Sequence, residues 1–188
     1  GTGWSIGEDK AVAVSGSSSK LTQSISALSG KTCKVSFTLS DFGGSGSVRV
    51  DFGSVSSDPI NTNGEHIVYG TYDNNAFELF KNGSFNGSIT NISVKEVGQN
   101  WDLGTGWYIA EDKAVCEANG GFDALNQAFV LNSGNSYKVT YTADLSLITS
   151  GTLKLGTFSN SASERTILNG TNTAYLTASG TTFQINEG

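Results

Sequence analysis

Two identical runs, Glu8-Asp9-Lys10 and Glu111-Asp112-Lys113, set paired carboxylates before a lysine. Calcium takes six to eight oxygen ligands, largely from carboxylates and carbonyls, so such pairs invite a metal reading. Neighbouring side chains on an extended segment point to opposite faces, however, and one pair alone chelates poorly. Glu8, Asp9, Glu111 and Asp112 therefore read more simply as solvated turns between strands; no cofactor is expected, and calcium is the disfavoured option. Aromatic side chains offer a second chemistry, because a flat ring stacks on the C–H face of a sugar. Trp4, Trp101 and Trp107 have the largest faces, but Trp4 and Trp107 occupy matching positions before Ile6 and Ile109 and read as core packing. Tyr72, Phe80, Tyr108 and Phe122 are the better glycan-binding candidates, with edge-strand or interface packing as the plain alternative.

Catalysis finds little footing. The only histidine is His66, in a strand-like run. A Ser-His-Asp mechanism needs a histidine set against a nucleophile, and the position matching His66 in the second half of the chain is Asn172. Glycosidases need two carboxyls about 5–10 Å apart across a cleft. Asp51, Asp58, Glu65, Asp73 and Glu78 are available, but no constellation of them recurs. Cys33 and Cys116 stand at non-matching places, which argues against a structural disulfide. No Cys/His cluster has zinc spacing. Asn82, Asn86, Asn91 and Asn169 head N-x-S/T sequons, which a chain rich in Asn, Ser and Thr generates by chance.

The elements that must position these residues are strands. Hydrophobic residues make up 37% and charged residues 15% of the 188, with 24 glycines and one proline, Pro59. Gly, Ser and Asn favour turns over helix interiors. Net charge is −6 with scattered basic residues, which argues against a nucleic-acid partner. No apolar run approaches the roughly 18 residues that span a bilayer, so no membrane insertion is expected. There is no methionine and Gly1 comes first, which reads as a processed form or a piece of something longer.

The chain repeats itself. Residues 1–13, GTGWSIGEDKAVA, recur at 104–116 as GTGWYIAEDKAVC, with ten of thirteen positions identical. The match continues as LTQSI (21–25) with LNQAF (125–129), GKTCKVSFT (30–38) with GNSYKVTYT (134–142), and SGSVRV (45–50) with SGTLKL (150–155). NGEHIVY (63–69) pairs with NGTNTAY (169–175), and FELFKNG (77–83) with FQINEG (183–188). A period near one hundred residues is a domain duplication rather than a solenoid. Strict alternation in Cys33–Leu39, Tyr137–Thr142, Val48–Phe52 and Leu153–Leu155 is the signature of half-buried strands. Phe122–Phe129 has some helical propensity, but its partner, Ser19–Ile25, is poor helix, so both are assigned as strands.

The fold expected is all-β, two tandem β-sandwich (jelly-roll) domains at 1–98 and 99–188. The core expected is Trp4, Val35, Phe37, Val48 and Val50, matched by Trp107, Val139, Tyr141, Leu153 and Leu155. The second copy has no counterpart of 84–97, SFNGSITNISVKEV, and the first has none of Trp101-Asp102-Leu103. A sandwich without its closing strand leaves an open edge. Adjoining polypeptide, or a neighbouring copy adding a strand, is therefore the expected partner.

At GTGWSIGEDKAV, LTQSI, GKTCKVSFTL and GSITNISVKEV the chain resembles the jelly rolls of carbohydrate-binding-module families four, nine and twenty-two. The closest resemblance is to the divergent tandem versions in phage tail and other virion structural proteins. That resemblance implies a non-enzymatic virion structural or adhesion module, of tail-fibre or head-decoration type. It further implies a place outside the cell or on the virion surface, and a cell-surface glycan as a weakly bound partner. Two alternatives stay open: a subunit of an extracellular bacterial filament assembled head-to-tail by strand complementation, and a glycan-binding module of a secreted polysaccharide-degrading enzyme. Asn91 stands where calcium-binding members of these families commonly carry Asp.

Overall fold

The computed structural model describes residues 2–25, 27–117, 124–157 and 164–187. It is all-β, with no helix among those residues. The chain divides into two compact units, Gly1–Val97 and Gly98–Gly188.

Unit one contains β1 (Trp4–Ile6), β2 (Ala11–Ala13), β3 (Ser19–Ser24), β4 (Thr32–Ser40), β5 (Val48–Asp51), β6 (Gly64–Thr71), β7 (Ala76–Lys81) and β8 (Gly87–Glu96). They form a five-stranded sheet ordered β1-β2-β8-β4-β6 and a three-stranded sheet ordered β3-β7-β5. The alternation seen in the sequence is the alternation of burial: Cys33, Val35, Phe37 and Leu39 of β4 are buried, and the residues between them are half-exposed. The two sheets enclose one core of Val35, Phe37, Leu39 and Ile89 from the larger and Val48, Val50, Phe77 and Leu79 from the smaller. Burying each such side chain contributes about 1.5–3 kcal/mol. Strand β8 lies inside the larger sheet, pairing antiparallel with β2 on one side and β4 on the other. Its register against β4 shifts between Ser36 and Thr38, where β8 carries an extra residue. Asn91 takes the left-handed conformation there (φ 53°), which asparagine tolerates better than most residues. Its amide donates to Thr38 Oγ1 at 3.3 Å.

Unit two contains β9 (Asp102–Leu103), β10 (Trp107–Ala110), β11 (Lys113–Cys116), β12 (Ala124–Gln127), β13 (Ser136–Ala143), β14 (Leu153–Thr157), β15 (Arg165–Thr166), β16 (Gly170–Thr177) and β17 (Phe183–Glu187). One sheet is ordered β15-β14-β17-β12-β9, and the hairpin β10-β11 and the pair β13-β16, between whose strands β14 and β15 intervene in sequence, stand as separate two-stranded sheets. The duplication is kept to the residue. Trp4 opposes Ala13 as Trp107 opposes Cys116. Lys34 opposes Tyr69 as Lys138 opposes Tyr175. Leu21 and Val50 flank Leu79 as Leu125 and Leu155 flank Ile185. Phe122 and Asp123 lie outside the described residues, but Ala124–Gln127 and Ser19–Ser24 are both strands, as their equivalence requires.

What does not recur is β8. Its two neighbours in unit one, β2 and β4, correspond to β11 and β13, and no strand among the described residues pairs β11 to β13. Burial follows. Ala11 and Ala13 are buried, whereas Ala114 is exposed and Cys116 only half-buried. Val35 and Phe37 are buried, whereas Val139 and Tyr141 are half-buried, and so is Leu153. The expected core therefore holds for Val35, Phe37, Val48, Val50, Trp107 and Leu155, and is corrected for Val139, Tyr141 and Leu153, and also for Trp4, which is half-buried. Cys33 and Cys116 form no disulfide.

Candidate functional site

The side chains of the small sheet in unit one that turn away from the core form a two-by-three array. Across the strands, Lys20, Phe80 and Arg49 make one row, and Thr22, Glu78 and Asp51 the next. Alternation puts them there: Leu21, Leu79 and Val50 take the inward positions, so their neighbours in sequence face out. Lys20 Nζ lies 2.7 Å from Glu78 Oε2 and 3.1 Å from Asp51 Oδ2. The hydrogen bond to Glu78 raises the Lys20 ammonium above its usual value, with burial opposing it and Asp51 adding to it. Asp51 is also held by Ser56 Oγ at 2.6 Å and Arg49 Nε at 3.3 Å. The Arg49 guanidinium lies 4.6 Å from the centre of the Phe80 ring, a cation–π contact worth about 0.5–1 kcal/mol at such a site.

Both carboxylates are committed to cations, and neither faces the other across a cleft. A half-covered ring flanked by fixed donors and acceptors suits a polar ligand with an apolar face. The matching array in unit two is Ala124, Asn186 and Lys154 over Asn126, Gln184 and Gly156. The scaffold is kept and its chemistry is changed, with amides replacing the ring and one carboxylate.

Of the four aromatic candidates, Phe80 belongs to this array. Tyr108 is exposed on β10, and its hydroxyl donates to Glu117 Oε1 at 3.0 Å, which holds the phenol proton on. Phe122 lies outside the described residues. Tyr72 is a correction: it is fully buried, edge-on to Phe52 with ring centres 4.9 Å apart, and presents no face to a ligand. Burial pushes its phenol well above the ordinary tyrosine value. Its repeat partner is Ala178, also buried, with the same backbone bonds: Gly30 and Gly134 donate to Tyr72 and Ala178, which donate back to Lys31 and Asn135.

The paired carboxylates lie in hairpin turns. Glu111 and Asp112 form a two-residue turn with φ of 50° and 59°, the geometry whose twist suits a tight hairpin. Lys113 Nζ reaches Glu111 at 2.9 Å. In unit one the Gly7 N–H donates to the Lys10 carbonyl, closing the loop around Glu8 and Asp9. No group of three or more His, Cys, Asp and Glu side chains among the described residues is placed to hold a metal ion. Sequence reasoning passed over Lys20 and Arg49 and took Asp51 and Glu78 only as loose carboxylates. The signal was present in Val48-Arg49-Val50-Asp51, where both polar residues share the face opposite the valines.

No protein-family model matches the chain, and no curated protein is significantly similar to it.

Proposed function

We propose that this chain is a non-enzymatic structural and adhesion module built of two tandem β-sandwich repeats of the jelly-roll kind. It serves outside the cell or on a virion, as in a tail fibre or head-decoration protein, with weak glycan contact as its binding activity. One observation carries this: the pairings of the small sheet recur residue for residue in unit two, while its outward array is rewritten from Lys20, Phe80, Arg49, Glu78 and Asp51 to Ala124, Asn186, Lys154, Gln184 and Gly156. Repeated spacers with locally adapted surfaces need the frame constant and the faces free. Phe80, with Arg49 and Lys20 beside it, is the place in unit one where a sugar ring would stack.

The test is a glycan array followed by titration of the best binders, using the whole chain with and without chelator. Dissociation constants of about 0.1–1 mM are expected, unchanged by chelator and lost in Phe80→Ala. Release of new reducing ends from any bound polysaccharide would overturn the non-enzymatic assignment. Retention of binding in Phe80→Ala would remove the ring from the contact.

A further inference from the structure

We propose that unit two is a strand acceptor: the position between β11 and β13 takes in an extended segment of the β8 pattern, the closing strand of a repeat of this same kind. This goes beyond the adhesion proposal and does not depend on glycan binding.

Unit one defines the occupant. There β8 bridges two strands at once, with Ala11 and Leu39 on either side of Ile89, and Ala13 beside Gly87. Ile89 is fully buried. Val94 opposes Val35 further along. Just before β8, Phe85 is fully buried, 6.5 Å from Trp4 and 5.7 Å from Phe42 between ring centres. Gly87 is a close-packing position, since an added Cβ would sit 3.1 Å from the Ser40 carbonyl oxygen and 3.2 Å from Leu39 Cδ1. The segment thus carries four features in order: an aromatic anchor, a small residue two places on, an aliphatic anchor two further, and a second aliphatic after the bulge.

Unit two keeps, in β11 and β13, the counterparts of the two strands that flank β8 in unit one. The counterparts of Ala11 and Ala13 are Ala114 and Cys116, and those of Val35 and Leu39 are Val139 and Ala143. Each is less buried than its counterpart. Two small residues, Ala114 and Ala143, would face the aliphatic anchor, which leaves room for Ile. Trp107 stands where Trp4 meets Phe85. Both walls are antiparallel strands with outer edges that no described strand pairs, and an extended peptide entering there gains main-chain bonds on two sides, where ordinary edge addition gains them on one.

The experiment uses the whole 188-residue chain and a synthetic peptide of residues 84–97, SFNGSITNISVKEV. Hydrogen exchange is followed by mass spectrometry over 113–116 and 136–143. Expected is saturable protection of both segments, with exchange slowed at least about tenfold, and none with an Ile89→Asp peptide. Register is read separately. The partner of Gly87 in unit one is Ala13, whose counterpart is Cys116. With oxidised glutathione supplied as the oxidant and reduced to two thiols in the exchange, a Gly87→Cys peptide should therefore form a disulfide with Cys116, since Ala143 in place of Leu39 removes the side chain that crowds Gly87, and a Ser88→Cys peptide, facing the other way, should not. Cys33 is fully buried and does not compete. Unchanged exchange at saturating peptide overturns the acceptor proposal. Protection with crosslinking from Ser88→Cys overturns the register. Neither outcome touches the glycan test.

Discussion

Val35 and Val139 are the same residue at the same place in two copies of one strand, and they differ in their neighbours on both sides. Val35 is fully buried, flanked by Val68 of β6 and Val94 of β8. Val139 is half-buried, flanked by Ala174 of β16 and by no described strand on its other side. Replacing either with Ala removes two methyl groups. At about 0.8 kcal/mol per buried carbon the transfer cost for Val35 is about 1.6 kcal/mol. A residual cavity of about 40 Å³ adds about 1 kcal/mol at 24 cal/mol per Å³. Val35→Ala should therefore cost unit one about 2–3 kcal/mol. Val139 is already partly in water and its surroundings are open enough to close over the gap, so Val139→Ala should cost unit two about 1 kcal/mol or less. Native-state hydrogen exchange reads the units separately, through amides of β4 and β6 in one case and of β13 and β16 in the other. In melting experiments the same figures correspond to drops of about 8–24 °C and of at most about 8 °C. Saturating 84–97 peptide should raise the cost of Val139→Ala towards that of Val35→Ala. Equal costs without peptide would refute the link between the absent strand and the loosened core.

Phe37 lies wholly in the core of unit one, and Phe37→Ala should cost about 3–5 kcal/mol; a change under about 0.5 kcal/mol in denaturant unfolding would mean the strand faces the other way. The Tyr72 hydroxyl is buried without a hydrogen-bond partner, so Tyr72→Phe should be neutral or stabilising by up to about 1 kcal/mol, whereas a loss above that would reveal a partner. Because burial raises the Tyr72 phenol in the folded state, its stabilising contribution is complete below the ordinary value of 10.0 and falls as pH rises beyond it; Tyr72→Phe should flatten that alkaline limb of stability. Asp73 behaves in the opposite sense: hydrogen bonds from Ser54 hold its carboxyl below 3.8, so its contribution is present above that value and is lost as pH falls through the lower one. Carbon-detected NMR titration should find its midpoint below that of free aspartate, and Ser54→Pro, which removes the side-chain hydroxyl and the backbone donor together, should move it back up. Chelator should shift the melting point by less than about 1 °C, since a bound ion would stabilise the fold by mass action.

The repeat, the strands and most of unit one's core were legible because each rests on local pattern. Period-two alternation fixes which residues of β4 and β5 face inward wherever one side of a sheet is buried. Three features were harder. In β8, Ile89 and Val94 both pack towards the core although four residues, an even number, lie between them, and a regular strand would put them on opposite faces. The break in parity requires an inserted residue, and Asn91 in the left-handed conformation supplies it. Ile92, which follows, is consequently 39% exposed, so the apolar weight of this strand rests on Ile89 and Val94. Lys81 sits on the inward parity of β7 and is fully buried, its ammonium donating to the Ser17 carbonyl at 2.9 Å. Hydrophobic patterning cannot foresee that, because the partner is a loop carbonyl 64 residues away. Tyr72 was misjudged because its repeat partner is Ala178. A large residue exchanged for a small one conceals equivalence from sequence comparison, although the backbone bonds are the same.

The contrast between the two units separates what a strand inherits from its own sequence and what it borrows from its neighbours. Pairing in β13 and β16 follows β4 and β6 through eight residues each, with Ser136 opposite Thr177 as Thr32 is opposite Thr71. Even the cross-strand hydroxyl contacts persist, Thr32 to Thr71 at 2.8 Å and Ser136 to Thr177 at 3.3 Å. Register is thus a property of each strand pair, kept although β5 in one unit and β14 and β15 in the other come between the partners in sequence. Burial is not: every described inward position of β13 is more exposed than its counterpart in β4, with the paired strand still in place. The third strand is what converts a paired ribbon into the wall of a core, since a two-stranded ribbon is marginal in water and three or more strands with a shared apolar face are needed for independent stability. Unit one meets that condition with its own residues. In unit two, β10-β11 and β13-β16 stand as two separate ribbons, and the acceptor proposal is that one further strand joins them in the order β10-β11-strand-β13-β16, which unit one displays as β1-β2-β8-β4-β6.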